Sequence, residues 1–408
     1  MGHNQETALR INVKSKELSL VLKSFLRAAF KHNLPITFWC LPHSKFINVM
    51  TSMSQAIAID RLDLEHTKRG FIFSPFDLEK QKALYIQGDL HFTFNRESKD
   101  HFITTEVSKD DRINAFLNDV EKFNASTDSK LNYYTTNSPQ NAEAQNYQEI
   151  VKRGIQAIRE GDFQKVVPAR TTRVSLKQPF DISEKFLKLT EAYTNAFVSL
   201  TSIPQAGTWL GATPELLMEV EQGVFKTVAL AGTQQRDALE GINETAWTQK
   251  EIEEQAMVSR YIVDCFKKIR LRDFKEKGPR TIVAGDLLHL KTEFEVNMKE
   301  TNFPELGTVM LELLHPTSAV AGMPKAPALA FLQKNEGFDR SFYSGFLGPI
   351  QVEDKSSLFV NLRCMQVLKN EAILYAGAGV TEDSNPEKEL EETGLKFNTI
   401  LNILNSGH

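Results

Sequence analysis

Near the end of the chain, Glu389, Glu392 and Lys396 are spaced three and four residues apart, so on a helix they form one stripe. Just upstream lies the run AGAGVTEDSNP, in which Gly377, Ala378 and Gly379 make a glycine turn. Backbone amides in such a turn can hold an anion such as a carboxylate, because glycine lets the ligand approach the main chain closely. Two carboxylates, one ammonium and a set of anion donors therefore fall within a few turns. The apolar run Ala372 to Tyr375 reads as a strand feeding the turn, and a helix opens after Ser384-Asn385-Pro386. Leu390, Phe397, Leu401 and Leu404 make a separate apolar stripe on that helix. The same residues also describe an ordinary strand, turn and solvated helix face.

A second carboxylate pair lies in the helical stretch Trp247 to Ile269. Its apolar stripe runs through Val258, Ile262, Cys265 and Ile269, and toward the N-terminus the stripe continues through Glu254 and Glu251. A carboxylate in phase with a buried face must be neutralised, paired or bound to a cation. The competing reading is that the first turns project past the core into water, where acidic residues suit the helix dipole. In FQKVVPARTTRVSL, read as a strand, Phe163, Lys165 and Val167 share a face, so Lys165 either snorkels at a strand end or is held inside for chemistry. Glu215 follows a proline in GATPE, and an apolar strand ends at Ala231-Gly232-Thr233 with Arg236 beyond, either a hairpin end or a ligand loop. His289 sits among leucines, a position that more often holds a hydrogen-bonded core histidine than a catalyst.

The elements that must position these groups are numerous. At 408 residues the chain can bury a large core, and 41% apolar with 25% charged residues is ordinary for a globular protein. A net charge of −4 makes no electrostatic case for nucleic acid. The three cysteines, Cys40, Cys265 and Cys364, show no metal-ligand spacing and read as buried thiols of a reducing compartment. No apolar run reaches the ~18 residues that a membrane span needs, and the N-terminus lacks a signal peptide's apolar segment, so a cytoplasmic protein is expected. Residues 1–126 alternate strand-like and helical segments and read as framework, 127–146 as a polar linker, and 147–408 as the region carrying the chemistry. Many strands interleaved with helices predict a large α+β domain with antiparallel sheets.

The run from Tyr147 onward resembles the chorismate-utilising enzymes, which comprise isochorismate, salicylate, anthranilate and aminodeoxychorismate synthases. The matching stretches, in order, are FQKVVPAR, GATPELL, ALAGTQQR, KEIEEQAMV, LLHPTSAVAGMP, EGFDRSFYSGFLG, LFVNLRC and AGAGVTEDSNPEKELEETGLK. In the N-terminal third only GFIFSPF resembles a family element. The resemblance implies two orthogonally packed antiparallel β-sheets flanked by helices, with the N-terminal third joining the same sheets, and a monomer. It implies Mg²⁺ as cofactor, with Glu254 and Glu389 as its ligands and Glu251 and Glu392 beside them. Lys165 resembles the base that activates water and Glu215 the acid that protonates the departing hydroxyl. Arg363, Lys396 and the amides of Gly377 to Gly379 resemble carboxylate binders, while Gly232, Thr233, His289, Ala319 and Tyr343 occupy pocket positions. The substrate so implied is chorismate, with no nucleic-acid or membrane partner.

Within the family, enzymes that make anthranilate generally lack a lysine at the position of Lys165, and aminodeoxychorismate synthases place a nucleophilic lysine where this chain has Ala231. Both departures point to water as nucleophile, and among the water-using enzymes Ala319 points to isochorismate synthase, whose product would feed menaquinone or siderophore assembly. Salicylate synthase is the second reading, since that enzyme tends to have threonine where this chain has Ala319. A non-catalytic chorismate-binding subunit is the third.

Overall fold

The computed structural model describes residues 10–15, 17–98, 101–104, 110–126, 133–136, 147–235, 246–284 and 287–406. Most of the expected polar linker, together with Arg236, lies outside these residues. Residues 133–136 are described, and there the Tyr134 hydroxyl donates to the carbonyls of Ala29, at 3.0 Å, and Leu34.

Two large antiparallel sheets dominate, one of eight strands and one of nine. Strands from the first 95 residues enter both: Ile36–Cys40, Phe46–Thr51 and Leu90–Asn95 join the eight-stranded sheet, and Ile57–Ile59, Gly70–Ser74 and Ala83–Gln87 the nine-stranded one. The period-two alternation of strand side chains explains how the sheets are covered on both faces. On the eight-stranded sheet, Phe38, Val198, Leu210 and Leu374 face a core with the helices Leu18–Lys31, Asp111–Asn124, Ile182–Ala192 and Pro386–Asn405. Their neighbours Trp39, Phe197, Trp209 and Tyr375 point the other way, where they meet Phe71, Phe73, Leu347 and Phe359 of the nine-stranded sheet. Phe197 stacks on Phe359 with ring centroids 4.2 Å apart. The far face of the nine-stranded sheet packs Ile72, Met218, Phe294 and Leu358 against the helices Gln249–Lys268 and Leu306–Leu314. The result is the expected α+β architecture of two antiparallel sheets with helices outside.

The chain twice passes from one sheet to the other through residues singled out in the sequence. Gly207–Thr213 belongs to the eight-stranded sheet and Leu216–Glu221 to the nine-stranded one, so Glu215 sits in the crossover. Lys355–Val360 and Cys364–Val367 make the reverse passage, with Arg363 in the left-handed region at φ +49°. The stretch SLFVNLRCMQV is therefore not the continuous strand that its alternation suggests. FQKVVPAR is interrupted as well: only Lys165–Val166 is extended before Pro168, and the strand resumes at Ala169–Ser175. Phe163 consequently packs beside Val166 in a small core and does not share a strand face with Lys165, because the residues preceding Lys165 form a bend.

All three cysteines are buried free thiols. Among the described residues no helix is long and apolar enough to cross a membrane.

Candidate active site

Lys165 is held from both sides. Its strand pairs with Gly322–Met323, Val166 exchanges main-chain hydrogen bonds with Val380 at the end of the glycine turn, and Val167 donates to the Ala321 carbonyl at 3.0 Å. With both neighbours pinned, the Lys165 side chain is fully buried, and Nζ donates to Glu254 Oε1 at 2.8 Å. That settles the choice between a snorkelling and an inward lysine. Glu254, on the helix Gln249–Lys268, is turned inward as its phase suggests. Burial alone would raise its pKa, but Lys165, Lys250 and Lys396 outweigh burial and hold it below the usual carboxylate range.

Glu254 lines a cavity that lies between the two sheet crossovers, the glycine turn and the C-terminal helix. Glu215, Gly232, His289, Ala319, Tyr343, Arg363, Gly377, Gly379, Glu392 and Lys396 line it too. Lys165 and Glu389 are not part of this lining, although Lys165 touches it through Glu254.

Burial pushes the Glu215 carboxyl up to about 7 even though Lys165, Lys396 and Arg363 pull the other way. His289 is buried, and its Nδ1 lies 2.8 Å from the Gly232 carbonyl. A carbonyl only accepts, so Nδ1 carries the hydrogen and Nε2 presents a lone pair. Burial and the neighbouring Arg363 lower the imidazole pKa to about 3, which favours the neutral ring. It is thus both a hydrogen-bonded core residue and part of the cavity wall. Gly232 needs its freedom: it has φ +73° at an irregularity of the strand Val224–Gln235, and a Cβ there would lie 3.0 Å from Glu251 Cβ. The side chain of Thr233 lies outside the described residues.

Lys396 Nζ donates to the Gly377 carbonyl at 2.8 Å and pairs with Glu392 at 2.7 Å. Arg363 lines the same cavity, and among the described residues its side chain makes a long 3.5 Å contact to the Thr399 hydroxyl. The Ala378 amide is engaged within the protein, facing the Pro168 carbonyl at 3.3 Å and the Tyr147 hydroxyl at 3.2 Å. Gly379 brings the main chain so close that a Cβ there would lie 2.4 Å from Glu254 Oε1. Tyr343 stacks on Tyr375 at 5.2 Å, and burial pushes its phenol up to about 12.

The four glutamates read as a cation set are arranged unequally. Glu251 caps its own helix, accepting from the Thr248 amide at 2.9 Å. Glu392 is engaged by Lys396. Glu389 is almost fully buried on the helix Pro386–Asn405, whose N-terminus Asn385 caps by accepting from the amides of Glu387 and Lys388. Its Oε1 pairs with Lys250 Nζ at 2.5 Å, whereas Oε2 is buried with no hydrogen-bond partner. Burial keeps the Glu389 pKa above the usual range despite Lys250. Among the described residues no group of three or more His, Cys, Asp or Glu converges on a metal position. The orphaned Glu389 oxygen and the inward Glu254 carboxylate are hard oxygen donors. They fit a Mg²⁺ ion that takes few protein ligands and completes its shell with water and substrate.

Three supporting features were not legible as site residues. Lys250 lies four residues before Glu254, a spacing that places both on one helix face and could have flagged it. Tyr147 belongs to the buried face of the helix Tyr147–Arg159, yet its hydroxyl also contacts the Pro168 carbonyl at 3.1 Å. Glu336 and Arg340 form a buried pair: Arg340 donates to the carbonyls of Val167 at 2.6 Å and Val320 at 2.8 Å, and Glu336 accepts from the Ala169 amide at 2.7 Å. Their i,i+4 spacing was visible, but nothing local said that the pair would be buried.

The isochorismate synthase EntC of Escherichia coli is 27% identical over 266 residues, covering 64% of this chain and 67% of that protein. The isochorismate synthase DhbC of Bacillus subtilis is 28% identical, over 65% of this chain and 69% of its own length. Among solved structures, a putative 2,3-dihydroxybenzoate-specific isochorismate synthase from Bacillus anthracis superposes with a TM-score of 0.70 at 23% identity, covering 94% of this chain and all of that one. Anthranilate synthase component I from Streptococcus pneumoniae superposes with a TM-score of 0.65 at 18% identity, covering 90% of this chain and 92% of that one. The family model for chorismate binding enzymes matches residues 73–405, and the chain belongs to that family.

Proposed function

We propose that this protein is an isochorismate synthase, converting chorismate reversibly to isochorismate. The observation that carries the reading is one cavity that combines the Glu215 carboxyl, raised to about 7, with the cationic Arg363 and Lys396, and that the buried Lys165 touches through Glu254. Chorismate is a dianion whose ring hydroxyl is a poor leaving group. Such a substrate calls for cations to hold its carboxylates, an acid to protonate the hydroxyl and a base to activate water.

Arg363 and Lys396 would bind the substrate carboxylates, and Tyr343 with Tyr375 would form an aromatic wall against the ring. Lys165, as the neutral amine it would become once a cation takes over Glu254, would take a proton from water as it adds to the ring carbon beside the carboxylated one. The double bonds then shift, and the hydroxyl leaves as water with the proton of Glu215. The neutral His289 would orient a substrate hydroxyl by accepting its hydrogen bond. Mg²⁺, held by Glu254 and Glu389, would supply a positive charge that fixes the ring carboxylate and draws electron density toward it. The presence of Lys165 and of Ala231, which is not a lysine, supports water over an amine as nucleophile. The pathway served, menaquinone or siderophore, is that of the similar enzymes of both kinds.

Product chromatography after incubation with chorismate, with and without Mg²⁺ and without any amine, tests the reading. Isochorismate appearing only with Mg²⁺ is expected. Salicylate with pyruvate would replace it with salicylate synthase, and no turnover would leave a binding subunit.

A further inference from the structure

Three lysine–glutamate pairs surround the candidate cation position: Lys165 with Glu254 at 2.8 Å, Lys396 with Glu392 at 2.7 Å, and Lys250 with Glu389 at 2.5 Å. They are not equivalent. Lys165 is fully buried and braced on both sides, so its ammonium has nowhere to go. Lys396 keeps the Gly377 carbonyl as a second partner. Lys250 has neither restraint. Its side chain is 25% exposed, it stands in the first turn of the helix Gln249–Lys268, and among the described residues its ammonium donates to Glu389 alone.

Its position is also unfavourable on its own terms. A cation in the first turn meets the positive end of the helix dipole, where acidic residues are the stabilising choice. The buried Glu389 carboxylate offsets this most, with Glu392 and Glu254 adding to it. Without Lys250, the buried Glu389 carboxylate would keep only the Ser384 hydroxyl to offset its charge, a state that burial disfavours.

We propose that Lys250 is an internal counter-cation: it neutralises Glu389 in the metal-free protein and swings out to solvent when a divalent cation takes its place. This rests on the reading of Glu389 as a metal ligand. The ammonium and the metal compete for one carboxylate, so the lysine keeps the empty site folded and at the same time weakens metal binding. Lys250 is a positioning residue here, since it acts through Glu389.

Isothermal titration of Mg²⁺ into the chelator-stripped full chain tests this, comparing wild type with Lys250→Met, Lys250→Gln and Lys250→Arg. Removing the competitor is expected to tighten Mg²⁺ binding at least about threefold in the first two variants, the lower end of coupling between contacting charged groups. Lys250→Arg, which keeps the cation, should bind Mg²⁺ as wild type does. In the metal-free state Lys250→Met and Lys250→Gln should also melt below wild type, with the gap closing at saturating Mg²⁺. Equal or weaker Mg²⁺ binding in both neutral variants, with wild type binding normally, would overturn the counter-cation role alone. If wild type shows no Mg²⁺ binding and Glu389→Gln changes nothing, the metal reading falls and takes this inference with it.

Discussion

Glu215 and Arg363 occupy two neighbouring crossovers through which the chain passes between the sheets, and the main chain ties those crossovers together. The Glu215 carbonyl accepts from the Val360 amide at 3.0 Å, and the Arg363 carbonyl accepts from the Ala212 amide at 3.1 Å. A carboxyl and a guanidinium far apart in sequence are thereby delivered to one cavity by main-chain hydrogen bonds of both sheets. Strand ends that diverge into different sheets leave a gap between them, and the cavity lies in that gap.

The raised pKa of Glu215 makes stability depend on pH in a definite direction. A carboxyl whose folded pKa, about 7, exceeds its unfolded value near 4.5 binds its proton more tightly in the folded state. The protein therefore loses stability as pH rises from about 4.5 to about 7, by at most roughly 3 kcal/mol. Glu215→Gln should raise the melting temperature relative to wild type at pH 8 and much less at pH 5. An equal change at both pH values would contradict a raised pKa.

For the proposed base, Lys165→Ala should reduce chorismate turnover by roughly 10²–10⁴-fold, the usual worth of a general base. Circular dichroism should show the fold retained. Turnover within a few-fold of wild type would remove Lys165 from the reaction.

Gly379→Ala addresses geometry without changing any charge. The added Cβ would fall 2.4 Å from Glu254 Oε1 and 3.1 Å from Lys165 Cε, so the ion pair must shift, although the backbone angle at Gly379 is not in the left-handed region. Turnover should drop at least about tenfold while stability changes by less than about 1–2 kcal/mol, since only side-chain ends move. A urea titration alongside the assay separates the two, and full activity would show that the pair tolerates displacement.

The Glu336–Arg340 pair should behave as a buried staple. Arg340→Met leaves Glu336 uncompensated and is expected to cost about 3–5 kcal/mol in urea unfolding. Changing Glu336 to Gln in the same chain should recover part of that loss. A double variant no more stable than Arg340→Met would mean that the carbonyl contacts to Val167 and Val320, and not the charge pairing, dominate.

Much of this was legible locally. The stripe Val258, Ile262 and Cys265 pointed to the buried face of one helix and put Glu254 in phase with it, because helical periodicity is a property of the chain itself. Asn385 and Pro386 marked the start of the C-terminal helix for the same local reason. The break at Arg363 was not visible, because alternation continues through SLFVNLRCMQV whether or not the chain changes sheets. Nor could spacing foretell that Glu251 turns to its own Thr248, since a residue in phase with a buried stripe can equally close a capping box.

What the sequence alone determined was the inventory and phase: which helices carry glutamates, which strands alternate, where the glycine turn falls and, through its ordered motifs, the family. Only the tertiary structure decided which charges meet. Lys165 and Glu254 lie 89 residues apart, and Lys250 and Glu389 lie 139 apart. No local periodicity links such positions. Their pairing arises because two sheets and the helices outside them close on one gap, where each buried carboxylate must find a cation from another element.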